Sequence, residues 1–315
     1  MKPFQSLNEI RIVYMGTPEI SASVLSFLLE KEVNVVAVIS NEDKPKGRKG
    51  VLEPTPVKRV ALKYNIPVYQ PHRIKEDYEF LKTIDFDCIL TMAYGQIVPE
   101  GLLSLSKYGA YNLHGSLLPK YRGAAPMQRA IIDLEEKTGV TLMEMVKEMD
   151  AGRMYAKKII PLDETINYSS LSEKVAKASA ELVFENLLDV VNKDNVGEKQ
   201  EEREVTFAAK ISPEEEHLDI DLDIDHLLGY IRGLSLTPGG YFLLEGKKFK
   251  VFKAHKVSEE NIGEIGEFVP TKKELLLQVR GGVICLDEVQ PEGKKQMDAR
   301  SFLNGAPWIA GKKIS

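Results

Sequence analysis

The chain has 315 residues, with 42 lysines and arginines against 47 aspartates and glutamates, a formal net charge of −5. Hydrophobic residues make up 43% and charged residues 28%, which excludes a disordered, collagenous or coiled-coil protein. No apolar run approaches the roughly 20 residues of a membrane span, and the acidic balance leaves any nucleic-acid role to local basic patches.

At this length two domains, or one large one, are expected. The first residues carry no continuous apolar stretch, so no secretory signal is expected. Cys88 and Cys285 lie far apart in the chain and show no disulfide framework or zinc spacing. A reducing cytoplasm fits, and Cys88 reads as a small buried hydrophobe.

In chain order, residues 10–15 read as a buried strand ending at Gly16-Thr-Pro18. Pro18 suits a helix start, and residues 19–31 carry apolar positions at helical spacing. Residues 33–39 form a second, valine-rich strand. Residues 56–64 read as helix and 67–69 as a short strand. A polar helix is expected near 75–83, then strands at 87–92 and 109–114. This alternation predicts an α/β fold, Rossmann-like, with a mostly parallel sheet covered on both faces. Residues 124–134 read as helix, and 139–146 and 154–161 as strands joined by a turn at 149–152. A long amphipathic helix follows at 169–191.

The composition then changes. Residues 192–205 are almost entirely polar and read as a linker, which closes a first domain at 1–205. Residues 206–315 form a second domain. After a helix at 224–234 it carries short strands at 241–244, 248–254, 264–269, 275–279 and 282–289, the pattern of a small β-barrel or sandwich.

The sharpest chemical signal is Asn112-Leu-His-Gly-Ser-Leu-Leu-Pro-Lys-Tyr-Arg-Gly123. It begins at the C-terminal end of a predicted central strand, where open α/β sheets bind ligands. Asn112 and His114 are two apart and share one strand face. An amide donor beside an imidazole suits acyl transfer through a tetrahedral oxyanion. An isolated Asn-x-His is more often a strand-end cap beside a satisfied histidine; the Gly-Ser turn that follows at a strand end weighs for the site. Asp150, in the turn after an apolar strand, is the best carboxylate partner, although Asp-Ala-Gly is also an ordinary turn sequence.

The loop at 41–50 carries Lys44, Lys46, Arg48 and Lys49 on the ligand side of the sheet, where it would reach phosphate or remain a solvated surface run. Gly16-Thr-Pro18 lacks the dinucleotide fingerprint. The second domain has a modest basic excess at Lys247, Lys248, Lys250, Lys253 and Lys256, which fits either a nucleic-acid surface or lysine-protected strand edges. The histidines have no ligand spacing, and no metal is expected.

Taken together, these residues resemble the methionyl-tRNA formyltransferase family over nearly the whole length. The resemblance rests on Ile12-Val-Tyr-Met-Gly-Thr-Pro18, Asp43-Lys-Pro-Lys-Gly-Arg48, Pro54-Thr-Pro-Val-Lys58, Ala93-Tyr-Gly95, the Asn112 motif and Arg122-Gly-Ala-Ala-Pro-Met-Gln128. Thr138-Gly-Val-Thr141, Asp150-Ala-Gly152, Thr206-Phe-Ala-Ala-Lys-Ile211 and Gly293-Lys-Lys-Gln-Met297 continue it. The Asn-x-His-x-Ser-Leu-Leu-Pro core is shared with glycinamide ribonucleotide transformylases, formyltetrahydrofolate hydrolases and sugar-nucleotide formyltransferases. It points to the chemistry and not to the acceptor. One departure stands at Ser235-Leu-Thr-Pro-Gly239, where the family usually carries an Asn-Pro-Trp-Pro-Gly-like stretch.

The resemblance implies formyl transfer from 10-formyltetrahydrofolate to initiator methionyl-tRNA, without a metal, by a cytoplasmic and monomeric enzyme. It implies catalytic roles for Asn112, His114 and Asp150, a folate site lined by Ser116, Leu117, Leu118 and Pro119, and tRNA contacts from Lys46, Arg48 and Lys49. The second domain would be an OB-like tRNA-binding barrel. Two alternatives stay open: a sugar-nucleotide formyltransferase, and an RNA-binding module on an inactive α/β domain.

Overall fold

The computed structural model describes residues 3–46, 50–235 and 237–315. The chain divides into two compact units. The first comprises Met1–Gly123, Thr138–Pro161 and Ser172–Ala208; the second comprises Ala124–Lys137, Leu162–Leu171 and Ala209–Ser315.

The first unit is built on a seven-stranded sheet. Its order is Met154–Pro161, Lys137–Glu144, Ala110–His114, Cys88–Met92, Ile12–Gly16, Val35–Ile39 and Val68–Tyr69. Neighbours from Val68–Tyr69 to Ala110–His114 pair in parallel, and Lys137–Glu144 joins antiparallel. The α/β reading with a mostly parallel sheet therefore holds. Ile12–Gly16 and Cys88–Met92 are buried at every position, which is why their sequences run apolar without alternation. The strand order reverses between these two, opening a crevice at their C-terminal ends.

Local signals set the helices. Glu19–Glu30 starts directly after Pro18. Pro56–Lys63 starts after Thr55, whose side chain accepts from the Lys58 N–H at 3.2 Å, an N-cap bond. Arg11 and Asp87 clamp the starts of two central strands: guanidinium nitrogens donate to both Asp87 carboxylate oxygens at 2.8 and 3.0 Å, and the Arg11 backbone N–H adds a third bond at 2.8 Å. The Arg11 guanidinium holds the buried Asp87 carboxyl below its usual range.

One expectation here is corrected. The stretch near 75–83 is a 3-10 turn at Glu79–Thr83 and not an α-helix. Phe80 is drawn into a stack on Tyr69, with ring centroids 4.5 Å apart, and Leu81 is fully buried. Residues 192–205, read as a linker, are tied by hydrogen bonds into the first unit as far as Ala208.

The second unit contains the Ile224–Gly233 helix, capped by Asp223, and a five-stranded sheet. Gly240–Leu244, Lys247–Ser258, Gly282–Pro291 and Leu275–Val279 run in that order, and Met297–Asp298 pairs with Gly282–Pro291. The expected strand at 264–269 supplies only isolated bridges, Glu267 with Lys313 and Phe268 with Leu277. Gly266, at φ +85°, breaks its extended run. A further bridge joins Leu244 to Ile314. Leu227, Ile231, Phe242, Phe249 and Phe302 lie in the core of this unit.

Candidate active site

His114 ends the Ala110–His114 strand and is 5% exposed. Its Nε2 lies 2.8 Å from the Tyr121 carbonyl oxygen. A carbonyl only accepts, so Nε2 carries the hydrogen and donates. The other ring nitrogen, Nδ1, faces Asp150 Oδ1 at 3.6 Å. That is longer than a hydrogen bond. The bond that orients the ring therefore comes from the Tyr121 backbone, and Nδ1 is the nitrogen left for a reacting group. Asn112, two residues back on the same strand face, is half-buried.

Asp150 sits in the turn before Met154–Pro161. Its backbone is left-handed, at φ +52°, a conformation that Asp tolerates better than most residues. Its Oδ2 accepts the Gly123 N–H at 2.9 Å. The segment 121–123 thus touches both side chains: a carbonyl on the histidine and an amide on the aspartate. Gly123 is held close by Ala208, because Phe207–Ala208 pairs in parallel with Arg122–Gly123. A Cβ on Gly123 would stand 2.6 Å from the Ala208 carbonyl oxygen, at φ +122°. Only glycine fits there.

Residues 116–119 are fastened from within. The Ser116 hydroxyl donates to the Lys120 carbonyl at 2.7 Å. Thr141 Oγ1 donates to the Ser116 carbonyl at 2.7 Å and accepts the Leu118 N–H at 3.1 Å. Ser116, Leu118 and Pro119 are buried, and Leu117 is half-buried.

The structure places Asn112, His114 and Asp150 in the first unit and brings His114 and Asp150 together. Among the residues expected to meet tRNA, Arg48 and Lys49 lie outside the described residues. Lys46 is described through its backbone alone, in a short strand Lys44–Lys46 paired antiparallel with Val51–Glu53. A cavity of about 340 Å³ adjoins this hairpin, lined by Thr17, Asn41, Lys44, Thr55 and Arg59 among others.

Sequence reasoning missed Tyr121, Arg122, Gln200 and Thr206 as supports of the site. Their contacts run through backbone groups and residues 78 to 85 positions apart, so no local spacing reveals them. It also missed that His255, Cys285 and Asp287 bring ligand atoms within 4.8 Å of one another from two strands. His255 Nδ1 and Asp287 Oδ2 are hydrogen-bonded at 3.0 Å, and burial pushes the Cys285 thiol up to about 11. An imidazole–carboxylate contact beside a protonated thiol accounts for that cluster.

Residues 10–187 match the family model described as Formyl transferase, and residues 210–307 match Formyl transferase, C-terminal domain. The chain belongs to the formyl transferase family. Among its curated relatives, this family member is 42% identical over 308 residues to a methionyl-tRNA formyltransferase of Bacillus licheniformis, covering 96% of this chain and 98% of the relative. A methionyl-tRNA formyltransferase of Staphylococcus aureus is 39% identical over 309 residues, covering 96% and 99%. Among solved structures, an N-formyltransferase from Helicobacter canadensis in complex with folinic acid and dTDP-3-aminofucose shares the fold. Its TM-score is 0.65 at 21% identity, covering 90% of this chain and 99% of that one. HypX from Aquifex aeolicus also shares it, with a TM-score of 0.71 at 18% identity, covering 96% and 50%.

Proposed function

We propose that this chain transfers the formyl group of 10-formyltetrahydrofolate to the amino group of initiator methionyl-tRNA, giving N-formylmethionyl-tRNA for translation initiation. The observation that carries the reading is the His114–Asp150 pair at a sheet-end crevice, in a chain matching methionyl-tRNA formyltransferases along nearly their full length.

The amine attacks the formyl carbon and a tetrahedral oxyanion forms. The bond to the folate N10 then breaks, and the proton lost by the amine is gained by N10. The Asn112 amide donates to the oxyanion, whose charge exists only along the reaction path. His114 stabilises it only as the imidazolium, donating through Nδ1 while Nε2 stays committed to Tyr121. Asp150, across the 3.6 Å gap, takes the amine proton and returns it towards the leaving nitrogen. No step requires a metal.

Residues 116–119 form the folate loop, presenting backbone groups where their side chains are buried. Lys46, Arg48 and Lys49 meet the acceptor end of the tRNA. The chain divides functionally into a formyltransferase domain at 1–205 and a tRNA-binding domain at 206–315. We read the second as an OB-like barrel; supporting this, Ile314 bridges one sheet edge, while Lys313 bridges Glu267, beside Phe268 on the other edge. We read the enzyme as a cytoplasmic monomer. Among the described residues no helix is long and apolar enough to cross a membrane.

The test is a formyl-transfer assay with 10-formyltetrahydrofolate and either methionyl-tRNA or an amino-sugar nucleotide. Formylated methionyl-tRNA, absent with His114→Ala, is expected. Transfer to the sugar alone would overturn the acceptor.

A further inference from the structure

The turn that carries Asp150 is held from outside the strand-end motif. Gln200, in the polar stretch after the long Tyr168–Asn192 helix, donates its amide Nε2 to two carbonyl oxygens. One is that of Asp150 at 2.7 Å and the other that of Gly152 at 2.9 Å. The amide oxygen of Gln200 accepts from Arg122 Nε at 2.9 Å. Arg122 is 6% exposed, and a second guanidinium nitrogen donates to Glu202 at 3.1 Å. The Arg122 backbone N–H donates to the Thr206 carbonyl at 2.9 Å, and the Tyr121 N–H to the Thr206 hydroxyl at 2.9 Å.

Residues 200–208 therefore fasten both partners of the pair at once. Through Tyr121 they set the carbonyl that orients His114. Through Gln200 they set the backbone of Asp150. The second fastening matters because a non-glycine residue at φ +52° persists only where its neighbours determine it. A glutamine with both N–H bonds and its oxygen engaged cannot pivot, and its anchor, a buried guanidinium, is planar and fixed.

We propose that Gln200 is a positioning residue for the formyl transfer proposed above, and that Arg122 anchors it. Gln200 does not touch the reacting atoms. It sets where the Asp150 carboxylate stands relative to His114 Nδ1. Misplacing a reacting group by about 1 Å can cost on the order of a hundredfold in rate.

The test uses the full-length protein with Gln200→Glu and Gln200→Ala. The glutamate keeps a partner for Arg122 and removes both donors to the turn, so it separates the anchor from the clamp. A thermal melt establishes that each variant is folded; if Gln200→Ala is not, Gln200→Glu carries the test. The first readout needs no substrate: imidazole nitrogen NMR shifts, with His114 assigned through His114→Gln. Gln200→Glu is expected to move the His114 Nδ1 signal and leave those of His217 and His226 in place. An unmoved His114 signal overturns the proposal.

The second readout is kinetic. Gln200→Glu is expected to lower kcat by about 10- to 100-fold, with KM for folate and acceptor within about twofold. In an Asp150→Asn background it is expected to have little further effect, because residues acting through one group are non-additive. An equal loss in both backgrounds overturns the proposal. A wild-type protein inactive on methionyl-tRNA would instead overturn the function proposed above, while the NMR comparison still decides the role of Gln200.

Discussion

His114 Nε2 lies 2.8 Å from the carbonyl oxygen of Tyr121, seven residues further along the chain. That one bond fixes the tautomer of the ring and turns Nδ1 towards Asp150. The histidine is thus oriented by a backbone atom, which mutation of the Tyr121 side chain leaves in place. Tyr121→Phe is expected to keep kcat within about twofold, because the ring-orienting group is common to all residues. Steady-state kinetics check this, and a large loss would mean that the phenol itself takes part.

Asn112→Ala is expected to lower kcat by about 100- to 1,000-fold, the usual cost of one oxyanion donor. Its half-buried position keeps the loss of stability small. Paired kinetic and denaturant measurements separate the two. An unchanged kcat would remove the oxyanion role.

Asp150→Asn keeps an acceptor for the Gly123 N–H but removes the charge facing Nδ1. A loss of about 100- to 10,000-fold in kcat is expected, as for a general base. Combining it with His114→Gln is expected to cost little more than either change alone. Additive losses would show that the two residues act separately.

Gly123→Ala places a methyl group against the Ala208 carbonyl in a left-handed conformation. We expect a loss of about 1–3 kcal/mol and a fall in kcat, since the same residue supplies the N–H that Asp150 accepts. Urea melts and kinetics check it. A variant as stable and active as wild type would show that the 122–123 and 207–208 pairing is dispensable.

Asp87 governs part of the acid stability. Its folded carboxyl titrates below the unfolded value because Arg11 favours the charged form. Its contribution is therefore complete above the ordinary carboxylate range and is lost as pH falls through the lower, folded value. Asp87→Asn is expected to destabilise by about 1.5–3 kcal/mol at neutral pH, the range for hydrogen bonds to charged groups. The gap to wild type should close in strong acid. Urea melts at several pH values test the sign; a gap that widens in acid would contradict it.

The first half of the fold was legible because buried parallel strands run apolar without alternation, as Ile12–Gly16 and Cys88–Met92 do. Pro18 and Thr55-Pro56 marked helix starts by their backbone chemistry. Residues 264–269 misled because apolar content survives while Gly266 breaks the strand. Residues 75–83 misled because an aromatic stack on Tyr69 overrode helical spacing. At the site, Asn112 and His114 were legible as neighbours on one strand face, and Asp150 only as a candidate. Gln200 was illegible because its amide donates to carbonyl oxygens, which every residue possesses, and its side-chain partner Arg122 is 78 residues away, so its polar neighbours read as a linker.

The second unit also draws in residues 124–137 and 162–171. Gly229 and Gly233 let the Ile224–Gly233 helix approach the Pro126–Ile132 helix, with Cβ positions 2.9 Å from Leu134 and 2.8 Å from Ile132. A cut at residue 206 would therefore strip cover from Ile131 and Ile132 and sever Thr206 from Tyr121. The C-terminal portion is consequently no cassette that recombination can exchange at a single crossover. A viable chimera would have to carry the three stretches of the second unit from one parent together.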